Sequence, residues 1–179
     1  VHHAHQSRAS RSVNGLEPAW IALVQAWLPN AERFGEPSDK DPLTPVLSAD
    51  ATLIGWATQT FPEARTVNGY AGTSNLLLVL DTNRQALGST LLLSEDTVGH
   101  VEKIRRSTEF FAQWNGRHAS RLDQFDDTTI VSGATLTSEA ITRGVAARFG
   151  ATDAAEWFPQ PLTLDQVRLI FPAANSFRP

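Results

Sequence analysis

Residues 76–80 have the sequence Leu-Leu-Leu-Val-Leu, five consecutive large aliphatic side chains. Because successive residues of a strand point to opposite faces, a strand with this sequence is apolar on both faces. The run therefore predicts a central strand of a sheet. Residues 81–84 have the composition of a hairpin turn, so residues 86–93 are expected to return as the neighbouring strand. Five residues are far fewer than the roughly 20 that cross a bilayer, and we expect no membrane span here.

Helical periodicity lies on both sides of this hairpin. Apolar residues recur at helical spacing in residues 16–28 and 97–114, and Ile141, Val145 and Phe149 follow i, i+4 steps. Residues 51–61 predict a further strand, residues 35–45 a loop, and residues 128–131 a short β-branched run before a turn. This order predicts an α+β fold, with segregated helices on a largely antiparallel sheet.

The length of 179 residues accommodates one domain with short extensions. We predict a disordered tail or cloning remnant at residues 1–15, a domain at residues 16–150, and a C-terminal helical extension at residues 151–179. Residues 24–34 resemble residues 167–177, which indicates either two similar helix-to-proline exits or the start of a further module. Without methionine or an intact signal peptide, the sequence is expected to be a fragment of a longer protein.

Charge and cysteine content exclude several classes of function. A net charge of −4 argues against a nucleic-acid-binding domain, which is normally basic. The densest basic cluster, at residues 103–106, alternates with acidic residues and is typical of a solvated helix face. The absence of cysteine excludes disulfides, cysteine-ligated iron–sulfur or zinc sites, and thiol catalysis.

Residues 132–138, with the sequence Ser-Gly-Ala-Thr-Leu-Thr-Ser, form the most informative segment. The pattern predicts a tight turn of small residues followed by a helix that begins near Thr137. Unpaired N–H groups and a positive dipole end make such a turn suited to an anion, and Gly133 and Ala134 let a ligand approach the backbone. The alternative is an ordinary N-cap cluster of serine and threonine.

The same seven residues resemble the flavinylation motif of the FMN-binding domain family. That family includes subunits of the sodium-pumping quinone reductase and the Rnf complex, and the nitrous-oxide-reduction regulator, to which residues 28–35 are most similar. Three more segments resemble the family: Gly-Tyr-Ala-Gly at residues 69–72, Ser-Glu-Asp-Thr-Val-Gly-His at residues 94–100, and the aromatic segment at residues 110–116. The pattern departs from the family at Thr129, where an aspartate is usual, and at Val98, where a proline is usual.

The resemblance implies an extracytoplasmic electron-transfer module with FMN joined to Thr135 by a phosphoester. It implies as partners a flavin transferase that uses FAD as donor, and iron–sulfur or membrane redox domains of the parent protein. Tyr70 and Trp56 are candidates for an apolar wall beside the flavin, although an aromatic residue on a strand is more often part of the core. The implied cofactor-binding residues are Thr135, Ser132, Gly133, Ala134, Thr137, Ser138, Glu95, Thr97, Gly99, Tyr70, Gly72 and His100.

Two alternatives stay open from the sequence. One is a flavin-free sensor or docking domain of the same fold, which the colour of the purified protein distinguishes. The other is a hydrolase that uses Ser132 or Ser138 with His100 or His118. This second alternative lacks the Gly-x-Ser-x-Gly elbow, and labelling with a serine-directed phosphonate would test it.

Overall fold

A computed structural model describes residues 15–124 and 128–150. Its strands are β1 (Arg33–Phe34), β2 (Thr44–Leu47), β3 (Leu53–Gln59), β4 (Ser74–Leu80) and β5 (Ala86–Ser94). The helices are α1 (Ile21–Val24), α2 (Val98–Arg106), α3 (Thr108–Ala112) and α4 (Thr135–Arg148). Short 3₁₀ turns occupy Pro18–Trp20, Glu63–Thr66 and Ala119–Arg121.

The five strands form one antiparallel sheet in the order β1-β2-β3-β4-β5, which confirms the α+β prediction. Strand β4 lies between β3 and β5, and every one of its seven residues is buried. Its side chains alternate between two apolar clusters, with Leu76, Leu78 and Leu80 in one and Leu77 and Val79 in the other. The aliphatic run therefore forms a central strand covered on both faces, as the sequence predicts.

The two clusters come from different parts of the chain. The helix-side core joins β4 to α2, α3 and α4, and includes Leu76, Leu78, Leu80, Ile104, Phe110, Trp114, Ile141 and Val145. The N-terminal core joins the other face of β4 to residues near α1 and to β2 and β3, and it comprises Leu16, Val24, Ala31, Val46, Ala57, Leu77 and Val79. Residues from Leu16 onward thus bury apolar surface against the sheet, which favours folding.

The structure corrects several details of the predicted elements. Residues 97–114 form two helices instead of one, because Ser107 has extended backbone angles and its side chain accepts a hydrogen bond from the Phe110 N–H at 3.2 Å. Serine in this role starts a new helix. Strand β2 begins inside the predicted loop, residues 128–131 do not form a strand, and α4 starts at Thr135, two residues before the predicted position.

No helix among residues 15–124 and 128–150 is both long and apolar enough to cross a membrane. The predicted N-terminal tail, except Gly15, and the C-terminal extension lie outside the described residues. The second copy of the internal similarity, residues 167–177, lies outside them as well. The predicted domain boundaries stay predictions.

The close packing of Trp27 against β5 gives a test of the N-terminal core. A Cβ atom at Gly88 would overlap the Trp27 indole, whereas a Cβ at the exposed Gly99 of α2 would contact nothing within 4 Å. We expect Gly88→Ala to lower the free energy of unfolding by about 1–3 kcal/mol through overpacking. The matched control, Gly99→Ala, should leave it unchanged or raise it by up to about 1 kcal/mol, since alanine favours helix. Urea denaturation followed by tryptophan fluorescence measures both, and equal effects would contradict the packing argument.

Candidate functional site

The turn that precedes α4 is shaped by Gly133 and Ala134. Gly133 has a φ of +72°, a left-handed conformation that favours glycine, and the Ala134 N–H donates to the Val131 carbonyl at 2.9 Å. The first helical hydrogen bond runs from the Ser138 N–H to the Ala134 carbonyl, also at 2.9 Å. The amides of residues 135–137 precede this bond, so they have no acceptor within the helix and form its positive end.

The four hydroxyl side chains of the motif divide into two buried and two exposed groups. Thr137 is 1% exposed and Ser138 is fully buried, whereas Ser132 and Thr135 are exposed. The Ser138 hydroxyl accepts from the Val131 N–H at 3.1 Å and donates to the Ala134 carbonyl at 2.9 Å. Ser138 and Thr137 therefore stabilise the turn, and the hydroxyl groups available to a ligand belong to Ser132 and Thr135.

Asp96 connects this turn to the loop at residues 69–72. It lies between β5 and α2 and is only 7% exposed. One of its oxygens accepts from the Thr137 hydroxyl at 2.7 Å and from the Tyr70 N–H at 3.0 Å. The other oxygen accepts from the N–H groups of Ala71, at 2.9 Å, and Thr97, at 2.7 Å. One carboxylate thus joins α4, the 69–72 loop and the start of α2.

The electrostatic state of Asp96 follows from these contacts. Burial by itself raises the pKa of the carboxyl, because it disfavours the charged form. The hydrogen bonds from Thr137, Thr97, Ala71 and Tyr70 together outweigh burial, and the net result is a pKa below the usual value. Asp96 is therefore ionised at neutral pH, with its charge directed at donors of the protein itself.

The glycines of the 69–72 loop permit this close approach. A Cβ atom at Gly69 would collide with the Asp96 carboxylate, and it would lie 3.3 Å from the Thr137 Cα. A Cβ at Gly72 would collide with the backbone of Glu95. The Gly-Tyr-Ala-Gly sequence is thus explained by the space between the loop, Asp96 and the first turn of α4.

Exposed apolar side chains surround the Asp96 network. Tyr70 is 64% exposed, and its ring meets the His100 ring edge to face with centroids 5.0 Å apart. Val98 and Leu136, each next to a residue bonded to Asp96, are also exposed. The Nδ1 atom of His100 is buried without a hydrogen-bond partner among the described residues. An exposed apolar wall of this kind suits one face of a flat apolar ring such as that of a flavin.

The remaining sequence-predicted residues are placed as follows. Glu95 is exposed and its carboxylate accepts from the Thr73 hydroxyl at 3.0 Å, and Thr97 and Gly99 are exposed near the start of α2. Trp56 does not belong to the site. It pairs with Leu80 at the far end of β4 from Ser74, and Arg84 lies over its ring at 4.7 Å. Leu80 directly precedes the turn at residues 81–84, so Trp56 lies at the turn end of the β4–β5 hairpin.

Two residues that contribute to the site were missed by the sequence reading. Asp96 lies in the Ser-Glu-Asp-Thr-Val-Gly-His segment, but the resemblance implies its neighbour Glu95 as the binding residue. The signal for Asp96 was its position directly before the Thr-Val-Gly stretch. Lys103 was assigned to a solvated helix face, an assignment that fits Arg106, which pairs with Glu102 on the exposed surface. The Lys103 ammonium instead donates to the Gly133 carbonyl at 3.2 Å, a contact that only the three-dimensional arrangement reveals.

The hydrolase alternative gains no support from this geometry. Neither Ser132 nor Ser138 forms a hydrogen bond with a histidine among the described residues, and the His118 ring instead bonds to the Ser120 hydroxyl at 2.9 Å. Within the same described ranges, no group of three His, Asp or Glu side chains could hold a metal ion.

The comparisons with known proteins agree with the geometry. Residues 69–148 match the family model described as FMN-binding domain. The matched range begins at Gly69 and ends with the last residue of α4, so it includes Asp96, Lys103 and Thr135. No curated protein matches the chain. The resemblance stated from the sequence is therefore confirmed for residues 69–148, and the match supports a flavin-binding module in this part of the chain.

The role of Asp96 predicts a defined dependence of stability on pH. Its lowered pKa stabilises the fold above about pH 4, near the pKa of an unfolded aspartate, and this contribution is lost as pH falls through the folded pKa. Asp96→Asn should lower the free energy of unfolding by about 2 kcal/mol at pH 7, because the amide cannot accept all four hydrogen bonds. Urea denaturation from pH 7 to pH 2 should show this difference shrinking below about pH 4.

Asp50 provides the matched control for this prediction. Its pKa is also lowered, chiefly by a hydrogen bond from the Ser48 side chain, but Asp50 is exposed. Asp50→Asn should therefore destabilise the protein much less than Asp96→Asn. An equal loss in the two variants would show that the Asp96 network contributes no more than an exposed turn.

Proposed function

We propose that the chain is an electron-transfer module carrying one FMN, phosphoester-linked to Thr135, because residues 69–148 match the FMN-binding domain model. In this proposal the module spans residues 16–150 and works outside the cytoplasm as part of a larger membrane-associated redox protein. The observation that carries the proposal is the exposed Thr135 hydroxyl at the start of α4, in a turn positioned by buried neighbours. A side chain that accepts a bulky group must be accessible to the enzyme that transfers the group, and its backbone must be held in place.

The attachment step balances with FAD as the donor. The Thr135 oxygen forms a bond to the phosphorus of the FMN half, the bond from that phosphorus to the bridging oxygen breaks, and AMP leaves. The proton of the Thr135 hydroxyl is released in the same step. A separate flavin transferase supplies the base and binds FAD, so the contribution of this chain is to present Thr135. Thr137 and Ser138, which are buried and hydrogen bonded, are poor acceptors by comparison.

The residues around Thr135 fit the two ends of FMN. The amides of the first turn of α4 would stabilise the phosphate charge, and Gly133 leaves its approach open. Tyr70, Val98 and Leu136 would contact the apolar ring, and the half-buried ring of His100, which contacts Tyr70, would lie beside it. When bound, FMN supplies reversible transfer of one or two electrons. The protein determines where that ring lies and which surface it shows to iron–sulfur or membrane redox domains.

The flavin-free sensor or docking domain is the second candidate function. Thr129 favours it, because a threonine stands where the family motif usually has aspartate. The Thr129 N–H donates to the Gln113 side chain at 3.2 Å, so the backbone is positioned at this residue without a carboxylate. A module that the transferase does not recognise would keep the fold and lack the covalent flavin.

We expect the chain, co-expressed with a flavin transferase, to gain the mass of one FMN less one water and to stay yellow after denaturation. Thr135→Val should abolish the gain and cost about 1 kcal/mol of stability or less, since the side chain is exposed. Thr82→Val, at an exposed threonine in the β4–β5 turn, is the matched control and should be flavinylated normally. Intact mass spectrometry and visible absorption of the denatured protein measure all three.

Each other outcome points to a different conclusion. Covalent flavin on Thr135→Val would overturn the attachment site. Yellow colour that is released on denaturation would replace the phosphoester with a non-covalent flavin. An unmodified, colourless protein would favour the sensor or docking function, once a known substrate had shown the transferase to be active.

A further inference from the structure

We propose that Lys103 is the cation that recognises the phosphate group of the flavin. This inference rests on the proposed function, because it assigns a role within the same site. It starts from the hydrogen bond between the Lys103 ammonium and the Gly133 carbonyl, 3.2 Å long, which brings a positive charge to the turn before Thr135. Lysine commonly binds phosphate as a point charge.

Two side chains from the segment that contains α2 contact residues on either side of Thr135 in the sequence. Asp96, just before α2, accepts from Thr137, and Lys103, within α2, donates to Gly133. Thr135 lies midway along the chain between the two contacted residues. The residues two positions before and two positions after Thr135 are therefore both held by this segment, Gly133 by Lys103 and Thr137 by Asp96.

The absence of a side chain at Gly133 makes room for the lysine. A Cβ atom at Gly133 would collide with the Lys103 ammonium, so another residue there would displace it. The left-handed φ of +72° independently favours glycine at this position. The same glycine thus shapes the turn and admits the cation.

Charge balance gives the reason why a cation is needed. A flavin phosphate would enter a site that already contains the ionised Asp96 and the exposed carboxylate of Glu95. Repulsion between the phosphate and these carboxylates weakens binding. The positive partial charges at the start of α4 offset only part of this repulsion. None of the ion pairs among the described residues includes Lys103, and its side chain is exposed at the turn.

The experiment compares FMN with riboflavin, which has the same ring and no phosphate. Equilibrium dialysis of the 179-residue chain, produced without a transferase, would give both dissociation constants. We expect FMN to bind at least about tenfold more tightly than riboflavin, the scale of one charged hydrogen bond. Lys103→Gln should remove most of this preference by weakening FMN, and Lys103→Arg should restore it. In the unaltered chain, added salt should reduce the ratio of the riboflavin dissociation constant to the FMN dissociation constant, because salt screens the charge of Lys103.

Arg106→Gln is the matched control, because it removes one positive charge from the same helix at a residue paired with Glu102 on the exposed surface. It should retain the preference for FMN. Competition by inorganic phosphate against FMN, but not against riboflavin, would support a phosphate site directly.

The outcomes separate this proposal from the one it rests on. If the unaltered chain binds neither flavin and is not flavinylated, the proposed function is overturned, and the role of Lys103 with it. If the chain binds both flavins equally, or if Lys103→Gln keeps the preference for FMN, the flavin site stands and the role of Lys103 is overturned. If Lys103→Gln and Arg106→Gln lose the preference for FMN equally, the preference depends only on the total charge of the chain. That result would also overturn the role of Lys103.

Discussion

The Asp96 carboxylate is the interaction on which the candidate site depends. Its oxygens accept hydrogen bonds from the 69–72 loop, the start of α2 and the first turn of α4, three segments that are distant in the sequence. A buried charge is costly unless it is fully hydrogen bonded, so the three segments must lie close together for the fold to be stable. The same hydrogen bonds that stabilise the charge of Asp96 therefore bring the segments of the candidate site together.

The fold was predictable from the sequence wherever one signal dominated. The run at residues 76–80 identified the central strand, because no surface strand could expose five aliphatic side chains. Predictions failed where a single side chain redirected the backbone. The Ser107 hydroxyl interrupts the helical pattern of residues 97–114, and periodicity alone does not show which serine will do so. Short strand β2 was missed because it has only four residues, and the first two belong to a polar, proline-rich stretch typical of a loop.

The site was predictable as a motif but not as a geometry. The resemblance implies Thr135 as the attachment residue in a segment that contains four hydroxyl side chains, and the structure shows that the next threonine, Thr137, is buried. Asp96 and Lys103 were missed because their importance comes from contacts across 41 and 30 residues of chain. The residues next to Asp96 and Lys103 in the sequence do not indicate such contacts. Trp56 was a candidate on aromatic character alone, and the register of β3 against β4 excludes it.

The opposite end of α4 is also held in place, by the side chain of Arg148. Buried Arg148, the last residue of α4, donates to the Glu63 carboxylate and the Pro42 carbonyl, each at 2.8 Å, and to the Thr58 hydroxyl at 2.9 Å. Asp96 contacts the first turn of the same helix, which at 1.5 Å per residue is about 20 Å long. Contacts at both ends restrict sliding and rotation of α4 against the sheet. A group joined to Thr135, as proposed, would then have an attachment point that is fixed relative to the sheet.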